Sequence, residues 1–126
     1  MADRYKVKLT EIFLERLDAI EVFLTEAGAA FAYDDLLADL RKTVLPNLRC
    51  FPRMGRRYLD MLHAMPPSGE ILRVIKQLPP DAADCLYLYV TIGYVILYAE
   101  SKADATVYLL SVRHHRQLAF EFSGLM

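Results

Sequence analysis

The sequence predicts an α+β fold, with helices on one face of a small, mainly antiparallel sheet. Three observations carry this reading. The opening "YKVKLT" alternates polar and apolar residues and leads into apolar residues at helical spacing. A middle stretch is broken by proline and glycine. The last third holds three strand-like runs joined by very short links. At 126 residues the chain reads as one domain over 1–126, large enough to bury a core without disulfide or metal staples.

Tyr5 to Thr10 reads as a half-buried strand. Thr10 then offers a helix N-cap, and Glu11 suits the positive end of the helix dipole. Phe13, Leu17, Ile20, Leu24 and Ala27 share one helical face, and Gly28 is placed to end the helix. A second helix begins near Ala29, with Tyr33, Leu36, Leu37, Leu40 and Val44 as its buried stripe. Its acids come early and its bases late, which matches the dipole. Pro46 is expected to stop or kink it. The short link predicts an antiparallel helical hairpin.

"CFPRMGRRYLDMLHAMPPSG" reads mostly as loop. A short extra helix follows, with Ile71, Val74, Ile75 and Leu78 at helical spacing, Ser68 as a cap and Pro79-Pro80 as its end. "DCLYLYV", "GYVILYAES" and "TVYLLSVRH" then form a three-stranded antiparallel meander. Strand alternation separates an aliphatic face, expected under the helices, from one bearing Tyr87, Tyr89, Tyr94, Tyr98 and Tyr108, with His114 beyond. An open tyrosine face would be a binding surface, since each ring joins apolar area to a polar tip. Ordinary strand preference accounts for tyrosines equally well.

Net charge is −1, unevenly placed. Residues 1–40 carry a balance of −5, residues 41–76 one of +6, and residues 77–126 one of −2. The densest basic piece, "RCFPRMGRR", holds Arg49, Arg53, Arg56 and Arg57 without an acid. It can attract phosphate or an acidic protein, or simply be a solvated loop. Cys50 and Cys85 have no zinc or redox spacing and are expected to be buried thiols. The charged N-terminus and the lack of any run of ~18 apolar residues predict a cytoplasmic protein without a membrane partner.

"VYLLSVRHHRQLAF" ends a strand in Arg113-His114-His115-Arg116. The pattern reads as an acid–base pair, an anion-binding edge, a metal site or a solvated strand end. Histidine can fill either proton role near neutral pH. His114 and His115 are therefore the catalytic candidates, with Arg116, Arg113, Arg53, Arg56 and Arg57 as sources of charge. Adjacent strand residues point to opposite faces, so both histidines serve one site only if the strand ends by Arg113. No acid or cysteine sits at ligand spacing beside them, and neither a metal nor another cofactor is expected.

Three stretches together resemble the RelE/ParE superfamily of type II toxin–antitoxin toxins, also described as plasmid-stabilisation proteins. These are "YKVKLTE" entering a helix, "LRCFPRMGR" with Leu48, Pro52, Gly55 and Arg56, and "GYVILYAES…VYLLSVRHHR" with Val112, His114 and Arg116. The resemblance covers roughly 5–57 and 84–117, leaving 58–83 as an added segment with its short helix. It implies a toxin held by a cognate antitoxin. Ribosome-associated mRNA cleavage is the leading expectation. The alternatives are ParE-like inhibition of DNA gyrase and an inactive member that only binds antitoxin. Tyr87, Tyr89, Tyr98 and Tyr108 would then join Arg53, Arg56, Arg57 and Arg113 in RNA or partner binding. The basic ribonuclease set is not reproduced. The arginine of the family's Gly-Tyr-Arg is Val95 here, and two strand lysines fall on Tyr87 and Tyr89. The basic residues from Arg41 to Arg57 are expected to draw an acidic antitoxin segment.

Overall fold

The structure, a computed structural model, describes residues 5–58, 69–91 and 93–114. Strand β1 (Lys6–Leu9) runs into α1 (Glu11–Glu26). The Thr10 hydroxyl oxygen accepts from the Phe13 amide at 3.3 Å and caps the helix. At the far end Gly28 adopts φ +73°. Its amide donates to Thr25 O, and the Ala29 amide donates to Leu24 O. This pair of bonds is the Schellman closure that favours glycine at this position.

The second helical stretch runs past its proline. Helix α2 (Ala30–Asp39) passes through a π-helical turn (Leu40–Val44) into α3 (Leu45–Cys50). Within that turn the Leu45 amide donates to Leu40 O, five residues back. Pro46 has no amide to donate, and its ring would strike the carbonyl of Lys42 in a regular helix. The wider turn makes room for it, so Pro46 neither stops nor breaks the helix. Cys50 and Cys85 are free thiols, but Cys50 is exposed at the end of α3 and not buried.

The rest of the chain supplies β2 (Arg56–Arg57), α4 (Gly69–Gln77), α5 (Pro80–Ala83), β3 (Leu86–Thr91), β4 (Tyr94–Ser101) and β5 (Thr106–His114). The expected short helix and meander are present, and the fold is α+β. The presumed loop also contributes the edge strand β2; α4 ends at Gln77, ahead of Pro79-Pro80 as expected, and Pro80 then opens the separate short helix α5. Ser68, the expected cap, lies outside the described residues. The sheet order is β1-β5-β4-β3-β2, with β1 parallel to β5 and the other pairs antiparallel. No helix among the described residues is long and apolar enough to cross a membrane.

The expectation of helices on one face only is corrected by two separate cores. One joins Phe13, Leu17, Ile20 and Leu24 of α1 to Leu36, Leu40, Val44 and Leu48, and then to Tyr89, Tyr94, Ile96 and Tyr98 of the sheet. The other joins Leu88, Val95, Leu97, Ala99 and Leu110 to Tyr58, Ile71 of α4 and Ala82 of α5. The tyrosine face therefore lies under the hairpin, and the aliphatic face lies under the added segment. Buried tyrosines are tolerated here because their hydroxyls find partners. The Gly55 amide donates to the Tyr98 hydroxyl at 3.0 Å, and Asn47 Nδ2 donates to that of Tyr89 at 3.2 Å.

A bulge changes the alternation along β5. Tyr98 pairs with Leu109, but Leu97 pairs with Ser111, so Leu110 is the extra residue. Val107, Leu109 and Val112 thus share the hairpin face, while Leu110 belongs to the opposite core. Tyr108 also packs on that opposite core, away from Tyr87, Tyr89 and Tyr98. After the bulge His114 pairs with Tyr94 on the hairpin face.

Candidate interaction surface

The strand end was the first candidate. His114 sits at the end of β5, its ring 5.0 Å from Tyr94 edge-on and 5.9 Å from Phe23 of α1. It is half-buried in an aromatic contact between sheet and hairpin. Arg113 pairs with Val95 and so points to the other face. There its charge opposes the burial that raises the Tyr58 hydroxyl pKa. His114 and Arg113 are therefore not brought together. His115 and Arg116 lie outside the described residues.

The second candidate, the basic loop, is built by the chain leaving α3. Phe51 to Met54 make a turn, in which the Met54 amide donates to Phe51 O. Gly55 then passes against β3. A Cβ added there would lie 2.5 Å from Leu88 O and 2.9 Å from the Tyr98 hydroxyl. Only glycine leaves room, which gives the Pro-x-x-Gly-Arg pattern a physical cause. Arg56 and Arg57 follow as β2, opposite Leu88 and Tyr87, and both are exposed.

Arg53 is committed elsewhere. Its Nε donates to Glu100 Oε1 at 2.9 Å and to Oε2 at 3.3 Å. Glu100 lies fully buried on β4 and also accepts from the Tyr5 hydroxyl at 2.7 Å. The acceptor raises the Arg53 pKa. The Tyr5 hydroxyl is raised by burial first and by Glu100 second. This triad ties β1, β4 and the basic loop together. Sequence reasoning missed Glu100 and Tyr5. The available signal was a single acid, Glu100, inside the apolar run "GYVILYAES".

The tyrosines divide. Tyr87 is half-buried and stacked on Tyr98, with centroids 5.5 Å apart. Burial raises its pKa, Glu100 adds to this, and Arg53 and Arg57 pull it back. Tyr89 and Tyr98 are buried, so they offer no open surface. Tyr108 is half-buried on the opposite side, with Lys8 Nζ 6.0 Å from its ring centroid. The exposed part of the predicted surface is thus the β2–β3 edge: Arg56, Arg57 and the outer side of Tyr87, with Arg53 half in solvent and paired with Glu100.

Comparisons with known proteins agree with this architecture. The family described as the ParE toxin of the type II toxin–antitoxin system, parDE, matches residues 7–119. Among solved structures, the RelBE2 toxin–antitoxin complex from Mycobacterium tuberculosis superposes with a TM-score of 0.51 at 16% identity. That match covers 91% of this chain and 95% of the other, a likeness of fold. No curated protein matches the chain. With the family matched from β1 beyond β5, this chain belongs to the ParE toxin family, the toxin half of type II toxin–antitoxin pairs.

Proposed function

We propose that this toxin arrests growth through protein contacts with DNA gyrase, without cutting RNA, and that a cognate antitoxin holds it in check. The observation that carries the reading is Val95. This position, which the resemblance assigns to a ribonuclease arginine, is 8% exposed in the core shared with Tyr58 and Ile71. An RNA phosphate could reach it only if the added segment left the sheet.

The other expected basic positions support the same reading. Tyr89 lies beneath the helical hairpin and is bonded to Asn47. Tyr87 is stacked on Tyr98. Arg53 is neutralised by Glu100. The positions of the family's basic ribonuclease set are thus taken by Val95, Tyr87 and Tyr89, and Arg53 is tied in a structural pair, while electrostatic stabilisation is the largest demand of such chemistry. Membership of the ParE family and the antitoxin in the similar RelBE2 complex support the antitoxin partner; the gyrase target follows from the resemblance to ParE-type members.

The test is to induce the toxin and follow DNA synthesis and mRNA integrity over the first minutes. Early arrest of replication with intact mRNA is expected. Early mRNA cleavage at ribosomes, lost in His114→Ala or His115→Ala, would return the reading to RNA cleavage.

A further inference from the structure

Two exposed surfaces of this chain carry opposite charge, and each also carries apolar area. The first is the outer ridge of α1. Glu11, Glu15, Asp18, Val22 and Glu26 recur every three or four residues and so line one side of the helix. That side is turned away from Phe13, Leu17, Ile20 and Leu24, which are buried in the core. Leu14 flanks the row at 45% exposure, Val22 within it is 56% exposed, and no basic residue interrupts it. Burial raises the Tyr33 hydroxyl pKa, and Glu21, Asp18 and Asp34 raise it further, the mark of a negative field over the hairpin. The second surface is the β2–β3 edge with the turn before it. Arg49, Arg56 and Arg57 are exposed there. They stand beside Phe51 at 64% exposure and Met54 at 48%, and from Arg41 to Tyr58 the chain carries no acid.

The two surfaces cannot meet within one molecule. α1 packs over β5, beside the β1 edge of the sheet, whereas β2 forms the opposite edge. Among the described residues, Glu11, Glu15, Asp18, Arg49, Arg56 and Arg57 enter no ion pair. Arg53 is set apart from them, since Glu100 already matches its charge. At a net charge of −1, two copies of the chain do not repel each other strongly, and the attraction of unlike patches orients their approach.

From this we infer that the free toxin associates head to tail with a second copy of itself, the α1 ridge of one copy resting on the β2–β3 edge of the next. Glu11, Glu15 and Asp18 face Arg49, Arg56 and Arg57 of the neighbour, while Leu14 and Val22 cover its Phe51 and Met54. A contact between unlike patches leaves one of each free, so association extends into short chains unless the rotation closes a ring. Exposed ion pairs are weak and screened by salt, so the contact is a low-affinity one that salt dissolves. Each link hides one basic edge, the surface most attractive to an anionic partner. The inference does not rest on gyrase as the target.

The test is sedimentation velocity of the full-length toxin, separated from its antitoxin, from about 1 to 100 μM at low and at high salt. The weight-average mass is expected to rise with concentration at low salt, beyond that of a pair, and to return to that of one chain at high salt. Glu11→Lys/Glu15→Lys and Arg56→Glu/Arg57→Glu should each stay a single chain. Mixed together, they should form a pair that grows no further, because one intact ridge meets one intact edge. Leu14→Ser/Val22→Ser should weaken association about 10-fold with its salt dependence unchanged. Equal melting temperatures of all variants exclude misfolding as the cause. A parent that stays a single chain at the top of the concentration range overturns the inference. So does association that either charge variant leaves unchanged, or a mixture of the two that fails to pair. Failure of the gyrase assay leaves this readout untouched, so the two readings fail separately.

Discussion

Arg53 Nε lies 2.9 Å from Oε1 of Glu100, whose side chain is fully buried while that of Arg53 is half in solvent. A buried carboxylate needs its partner more than the partner needs it. Arg53→Met is expected to lower the melting temperature by on the order of 5 °C. Arg53→Met/Glu100→Leu should recover part of that loss, because no buried charge is then orphaned. Tyr5→Phe should cost less than Arg53→Met, since Glu100 keeps its ion pair. Thermal unfolding of the three variants checks the order.

Gly55 packs directly against β3 and Tyr98. Gly55→Ala places a methyl against Leu88 O and the Tyr98 hydroxyl. The expected cost is about 2 kcal/mol from overpacking, measured by urea unfolding. Gly28→Ala meets no neighbour, so its cost should come only from the positive φ.

Burial pushes the Tyr98 hydroxyl from 10.0 up to about 12, although the Gly55 amide bond acts the other way. A group whose pKa is raised on folding stabilises fully below its unfolded value. That stabilisation is lost as pH rises through the folded value. Stability should therefore fall between pH 10 and about 12, and Tyr98→Phe should remove on the order of 2 kcal/mol of that pH dependence. The difference between the two alkaline stability curves isolates Tyr98 from the other raised tyrosines.

At the acid end the relevant group is Asp81 of α5. Its carboxylate accepts from the Ala103 amide at 3.0 Å and from the Ser101 hydroxyl at 3.1 Å, which holds its pKa below 3.8. A depressed pKa stabilises above the unfolded value and ceases to do so as pH falls through the folded one. Asp81→Ala should be less stable than the parent at neutral pH, and the gap should close below pH 3.8. Denaturant midpoints across that range test it. The result also reports whether the added segment clamps the β4–β5 turn.

Local rules made most elements legible. The Thr10 cap, the Gly28 stop and the stripe Phe13, Leu17, Ile20 and Leu24 depend on near neighbours, and each was readable from spacing alone. What failed depends on distant parts of the chain. Nothing local says that Tyr58, Ile71 and Ala82 claim the aliphatic face and leave the tyrosines to the hairpin. The extra residue Leu110 has no composition signal, yet it parts Tyr108 from His114. Of the two outcomes expected at Pro46, the stop does not occur, because a π-helical turn absorbs the proline. At the candidate site, Arg56 and Arg57 were found as exposed charges, but Arg53 was counted with them because its partner Glu100 lies 47 residues away.

The central claim is that this ParE-family toxin acts on gyrase by contact. Its most direct test adds purified toxin to gyrase and relaxed plasmid and follows supercoiling and trapped double-strand breaks, with and without antitoxin. The expected result is loss of supercoiling or accumulation of broken plasmid at toxin levels comparable to gyrase, reversed by antitoxin. Gyrase that works unchanged beside a toxin that cuts ribosome-bound mRNA would contradict it.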